Sequence, residues 1–263
     1  MSHAALVAAL REQERSWESR PMLRALYEGW FRRICGALAS VPGRSIELGA
    51  GIGMLARTCP SVEPTDVAPT PWASEVVDAE ALPYADGSLA NLVLVDVFHH
   101  LARPTRFLDE ATRALAPGGR LVVLDPYCSP ISTIAYRRFH HERTDLGADP
   151  FRDDPSVADD PLASNQARAT LVFFRHAHEL PRRWPQLALL RTERFALLAY
   201  PLSGGFTGRK LVPDGLGSAL ARAERLCAHA APLLAFRCLV VLERQSPPVP
   251  DSHHLDPKLP EGE

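Results

Sequence analysis

Glu47, Gly49, Gly51 and Gly53 stand at alternate positions in Arg44-Ser45-Ile46-Glu47-Leu48-Gly49-Ala50-Gly51-Ile52-Gly53, with Met54-Leu55-Ala56-Arg57 behind them. Glycines lack a Cβ, so they allow a tight turn and let a ligand lie against bare backbone. The apolar run before them reads as a strand. The run after them reads as the start of a helix, whose first N–H groups have no partner within the helix. A nucleotide-like ligand is expected above such a turn. A dinucleotide fingerprint beginning at Gly49 needs a small third residue at position 54, but Met54 stands there and the third glycine comes one place early. Glu47 would also be an unwelcome neighbour for a pyrophosphate. It suits a ligand that carries an ammonium group.

Further along, Asp66 ends a second short strand (61–66), seventeen residues after Gly49. Asp78-Ala79-Glu80-Ala81-Leu82-Pro83-Tyr84-Ala85-Asp86-Gly87-Ser88 forms an acidic segment. Asn91-Leu92-Val93-Leu94-Val95-Asp96 reads as a strand, followed closely by the pair His99-His100. Leu115 to Asp125 carries the Pro117-Gly118-Gly119 turn and another apolar run. A histidine that titrates near neutrality can deprotonate a hydroxyl, a phenol or an acid, so His99 and His100 are the candidate bases. Successive residues leaving a strand face opposite ways, so one of the two at most is expected to serve.

In this order the motifs resemble those of class I S-adenosylmethionine-dependent methyltransferases of the type 11 kind. The resemblance covers about 80 residues. It implies that S-adenosylmethionine is the cofactor. Its binding set would be Glu47, Gly49, Ala50, Gly51 and Gly53 of the first motif, Asp66 and Val67 at the ribose, Asp78 and Ala79 at the adenine, and Asp96 after the fourth strand. It also implies a Rossmann-like α/β fold: a doubly wound, mostly parallel seven-stranded sheet with an antiparallel strand at its edge. Asn91 departs from the pattern, since an aspartate is commoner there. Asp125-Pro126-Tyr127-Cys128 resembles the D-P-P-Y of adenine amino-methyltransferases, but it follows the fifth strand, not the fourth, and lacks the second proline. Methyl transfer from a sulfonium depends mainly on orientation, which supplies roughly 7–11 kcal/mol. A general base adds about 10²–10⁴ in rate.

The elements that must position these residues alternate. Strands are predicted at 44–48, 61–66, 91–96 and 119–125, with a helix over 104–116. Such alternation means parallel strands with right-handed crossovers and ligands beyond their carboxyl ends. Two helices, 4–15 and 21–39, form an N-terminal cap (1–40). The second presents Leu23, Leu26, Tyr27, Trp30, Phe31 and Ile34 at helical spacing, with Pro21 at its start. Tyr27 and Trp30 would either pack on the sheet or roof a ligand.

Residues 126–186 form an insertion, expected on the acceptor side. Ile131 to Arg143 reads as helix, and Leu171 to Phe174 as a short strand. His178 to Trp184 reads as a short helix, and 145–161, with six Asp and three Pro, as a solvated loop or lid. Ser203 to Arg209 is a glycine-rich link without a phosphate-loop context. Leu187 to Tyr200 and Phe236 to Glu243 read as the last strands around a helix over 214–230. A single domain is expected over 1–245, followed by a disordered tail, 246–263, that holds five Pro.

At 263 residues and 46% hydrophobic, the chain can bury a large core. A net charge of −2 gives no electrostatic footprint for nucleic acid. Arg in place of Lys, with 24 Pro and abundant Ala, reads as the coding bias of a GC-rich bacterial genome. The five scattered cysteines form no C-x-x-C, so neither a disulfide framework nor a metal site is expected and a reducing cytoplasm is the natural compartment. No signal peptide or membrane span is visible. The partner expected is a small-molecule methyl acceptor, with an oxygen acceptor favoured: a lipid, glycan or secondary-metabolite precursor. The alternatives are an inactive S-adenosylmethionine-binding module with an assembly or regulatory role, and an NAD(P)-dependent oxidoreductase.

Overall fold

The structure is a computed structural model that describes residues 3–140, 142–154, 164–206 and 208–246. The expected tail and most of the second half of the 145–161 loop lie outside these residues. Among them, no helix is long and apolar enough to cross a membrane.

Seven strands form one sheet in the order β3-β2-β1-β4-β5-β7-β6. They are β1 (Arg44–Leu48), β2 (Val62–Asp66), β3 (Glu75–Val76), β4 (Leu89–Val95), β5 (Leu115–Pro126), β6 (Leu187–Phe195) and β7 (Arg237–Arg244). The five strands β1 to β5 run parallel to one another, and β7 runs antiparallel to both β5 and β6. The carboxyl ends of β1, β2, β4 and β5 therefore share one edge with the amino end of β7. That edge collects Gly49, Asp66, Asp96, Pro126 and Arg237.

The central strands are apolar on both sides because helices cover both faces. Leu92, Leu94, Leu121, Val123, Val240 and Leu242 point to one face, under α4 (Pro104–Ala114) and its Phe107, Leu108 and Ala111. Val93, Val122, Leu124, Leu239 and Val241 point to the other, under α2 (Pro21–Cys35). On α2 the stripe Leu23, Tyr27, Trp30, Phe31 and Ile34 is fully packed down, with Pro21 in the first turn as expected. Asn91 is buried at 1% exposure and faces a single backbone residue. Its Nδ2 donates to Ala39 O (3.1 Å) and to Ser45 Oγ (2.9 Å), while its Oδ1 accepts from Ala39 N (2.7 Å). An aspartate could not donate to that carbonyl, which accounts for the amide at this position.

Three expectations are corrected. Leu171–Phe174 is not a strand. The segment Leu171–Arg175 is a π-helix that continues α6 (Arg168–Thr170), because its apolar run packs in the core beside Phe98 without a free sheet edge. Short apolar runs do not distinguish the two states. Cysteine pairing is the second: Cys35, at the end of α2, and Cys59, after α3 (Met54–Thr58), form a disulfide with Cα atoms 5.9 Å apart. Packing of α2 on α3 brings them together, and spacing in the chain could not reveal that. Third, the helix opened by Met54 has only five residues, so its dipole contributes little to anion binding.

Candidate active site

The glycine turn sits at the carboxyl end of β1. Ala50 N donates to Thr65 O (2.8 Å), and Gly53 N donates to Ala50 O (2.9 Å). Gly49 has φ +68°, and a Cβ there would lie 2.6 Å from Val97 Cγ2, so this position admits only glycine. Gly51, at φ +54°, has no backbone packed against its Cβ direction; Leu10 and Gln13 of α1 (His3–Ser19) lie 3.8–3.9 Å from where a Cβ would stand. The turn is thus bare and roofed by the first helix, which Trp72 Nε1 also reaches by donating to Glu14 (3.3 Å).

Two carboxylates flank it. Glu47 is 2% exposed, and its Oε2 has no hydrogen-bond partner in the protein. Burial, with the charge of Asp66 added, pushes its pKa up to about 8. Asp66 Oδ2 accepts from Gly51 N (3.0 Å) and its Oδ1 from Ala68 N (3.2 Å). Burial raises its pKa, and these N–H groups oppose the rise. Next to it Val67 is 61% exposed, an apolar surface beside the acid. Asp78 is exposed and accepts from Glu80 N (2.8 Å). Ala79 lies between them, partly buried against the core. Glu80, which the sequence did not single out, fastens this segment. Its carboxylate accepts from Arg103 N and Arg103 Nε (both 2.7 Å), and its carbonyl from Arg106 Nε (2.7 Å).

Asp96 reaches the same edge with φ +59°. Its carboxylate is already engaged: Tyr27 Oη donates to Oδ2 (2.9 Å), and Arg237 pairs with Oδ1. The Arg237 side chain is 4% exposed and lies over the rings of Tyr200, Trp30 and Tyr27, at 5.2, 5.5 and 6.0 Å. Tyr27 and Trp30 therefore support an ion pair instead of roofing a ligand directly.

The two histidines differ. His99 is buried, its Nδ1 2.9 Å from Asp125 Oδ1 and its Nε2 3.4 Å from Glu142 Oε2. Burial alone would lower its pKa, but the two carboxylates outweigh burial and lift it to about 10. A pKa raised in this way makes the ring a poor proton acceptor near neutral pH. His100 is half-buried, with its ring centroid 4.2 Å from that of His99. Asp125 and Glu142 were missed in the sequence. The first lay inside a tetrapeptide read only against a nucleic-acid motif, and the second lies in the insertion. That insertion docks here, with Asn165 N donating to His99 O (3.0 Å) and Asp154 N to Ala102 O (2.9 Å). Tyr127 faces elsewhere, with its Oη accepting from Arg194 Nε (2.9 Å).

Comparison with known proteins agrees with this geometry. Residues 46–123 match the methyltransferase-domain family. Demethylmenaquinone methyltransferase of Thermus thermophilus is 36% identical, over 36% of this chain and 53% of that protein, so the chain spans about half the length of this curated relative. Among solved structures, the [4+2]-cyclase SpnF superposes with a TM-score of 0.50 at 15% identity, covering 84% of this chain and 82% of the other. A geranyl diphosphate methyltransferase in complex with SAM reaches 0.48 at 12% identity, covering 84% and 86%. Residues 46–123, which carry the glycine turn and its acids, are thus similar to a methyltransferase domain, and the sheet they complete has a Rossmann-like α/β strand order.

Proposed function

We propose that the protein transfers a methyl group from S-adenosylmethionine to a small-molecule acceptor, with oxygen as the atom methylated. The observation that carries this reading is the orphaned Glu47 carboxylate, buried beside a glycine turn and two further acids. A buried polar atom without a partner is costly unless a ligand satisfies it. An ammonium group of the donor would answer Glu47 Oε2. Asp66 retains lone pairs toward ribose hydroxyls, Val67 and Ala79 offer apolar surface, and Asp78 stands ready for an amine. Bound there, the donor supplies an electrophilic methyl on a sulfonium that is discharged by the transfer.

The chain's own part is to hold, orient and exclude water. The roof is α1, and the insertion closes the side beyond His99 and His100. His99, held between Asp125 and Glu142, fixes this wall and acts as a positioning residue. His100 lies beside it on the same wall, its ring centroid 4.2 Å from that of His99. A second reading, a donor-binding module without catalysis, has one observation on its side: His99 is buried between two carboxylates that raise its pKa. Transfer of labelled methyl to an acceptor extract separates the two.

Asp66→Ala tests the site. Hydrogen bonds to charged groups contribute about 1.5–3 kcal/mol, so the variant should bind the donor roughly 10- to 150-fold more weakly while remaining folded. Unchanged donor affinity in titration calorimetry would remove Asp66 from the site.

A further inference from the structure

His99, His100 and Glu142 bring three potential ligand atoms within 4.8 Å of one another, the sole such group of three or more among the described residues. His99 Nε2 and Glu142 Oε2 are already 3.4 Å apart, close to the spacing of two ligands on one metal ion. Bonds of about 2.0–2.2 Å require only that His100 move inward by roughly an ångström or so. Behind the group the outer contacts are built. Asp125, at 0% exposure, faces His99 Nδ1 at 2.9 Å, the arrangement that fixes a metal-bound imidazole with Nε2 turned to the ion. Gln166 Nε2 donates to Glu142 Oε2 and steadies the carboxylate. The second oxygen of Asp125 is buried without a partner.

We infer that His99 Nε2, His100 and Glu142 bind a divalent transition-metal ion, oriented by Asp125, and that this ion takes the acceptor oxygen. Two imidazoles and one carboxylate suit Zn²⁺, Fe²⁺, Mn²⁺ or Co²⁺ better than Mg²⁺ or Ca²⁺, and three protein ligands leave positions open. Cysteines do not contribute, so the scattered cysteine pattern gave no hint of it.

The role rests on the methyl-transfer reading. A hydroxyl bound to the ion loses its proton to water more readily. The oxygen then forms the new bond to the methyl carbon, the carbon–sulfur bond breaks, and sulfur keeps the electron pair.

The test uses chelator-stripped full-length protein and Zn²⁺ alone in titration calorimetry, then Co²⁺ with visible absorption. One equivalent should bind, and Co²⁺ should give d–d bands. His100→Gln and Glu142→Gln should each weaken Zn²⁺ binding at least tenfold, and Asp125→Asn about 10- to 100-fold. Because His100 and Glu142 are only partly buried, these variants should fold, which circular dichroism checks. Binding of less than one equivalent, or equal Zn²⁺ affinity in both variants, would overturn the site. Donor affinity is measured separately, with chelator present. Zn²⁺ binding with no donor binding would uphold the ion site and overturn its role in methyl transfer. Donor binding with no Zn²⁺ binding would uphold the donor site and overturn this inference.

Discussion

Asp96→Asn is expected to destabilise the protein by about 3–5 kcal/mol in denaturant unfolding, toward the low end of that range. The substitution keeps the shape and tolerates φ +59°, since asparagine adopts left-handed backbone more readily than other residues. What it removes is the charge facing Arg237, whose side chain is only 4% exposed. An uncompensated buried guanidinium is costly. The amide oxygen, which can still accept from Arg237, offsets part of that cost. Arg237→Met should cost less, because Asp96 stays 30% exposed and keeps the Tyr27 hydroxyl. The double variant should recover much of the loss from Asp96→Asn. Loss below about 1 kcal/mol in the single Asp96 variant, or strict additivity in the cycle, would show that the pair is not the clamp described.

Donor affinity is expected to rise steeply with pH. Burial raises the Glu47 pKa to about 8, which favours the protonated carboxyl below that pH. A bound ammonium needs the ionised form, and binding then releases one proton. Affinity should climb about tenfold per pH unit below the pKa, approaching a thousandfold (~4 kcal/mol) between pH 5 and 8. For the protein alone the sign is opposite: a carboxyl with raised pKa favours the folded state at low pH and loses that contribution as pH rises from about 4.5 toward 8. Calorimetry in buffers of different ionisation enthalpy counts the proton. Glu47→Gln should bind more weakly at pH 8 and show no slope. A flat profile in the parent would mean that Glu47 does not meet the ammonium.

The parts of this molecule that were legible in the sequence are those written in short stretches. The glycine turn, Asp66 at the end of β2, the Asp78 segment and the stripe of α2 each depend on spacing within one or two elements, and each falls where its spacing put it. What was not legible depends on residues that meet only through the fold. Asp125 and Glu142 close on His99 from β5 and from the insertion, and they raise its pKa. Arg237 meets Asp96 because β7 runs antiparallel and delivers its first residue to the ligand edge. The Cys35–Cys59 bond arises in the same way, from α2 packing on α3. Local pattern fixes periodicity and turn chemistry. It does not fix which distant charge sits beside a given histidine, and that charge decides what the histidine can do.

The central claim is that the glycine turn with its buried acid holds a sulfonium donor with an ammonium group and not a dinucleotide. Titration calorimetry of the full chain with S-adenosylmethionine, its demethylated product and NAD at pH 8 tests it directly. The account predicts binding of the first two at one site per chain, weakened by Asp66→Ala, and no heat from NAD. Micromolar binding of NAD, with none of S-adenosylmethionine, would contradict it.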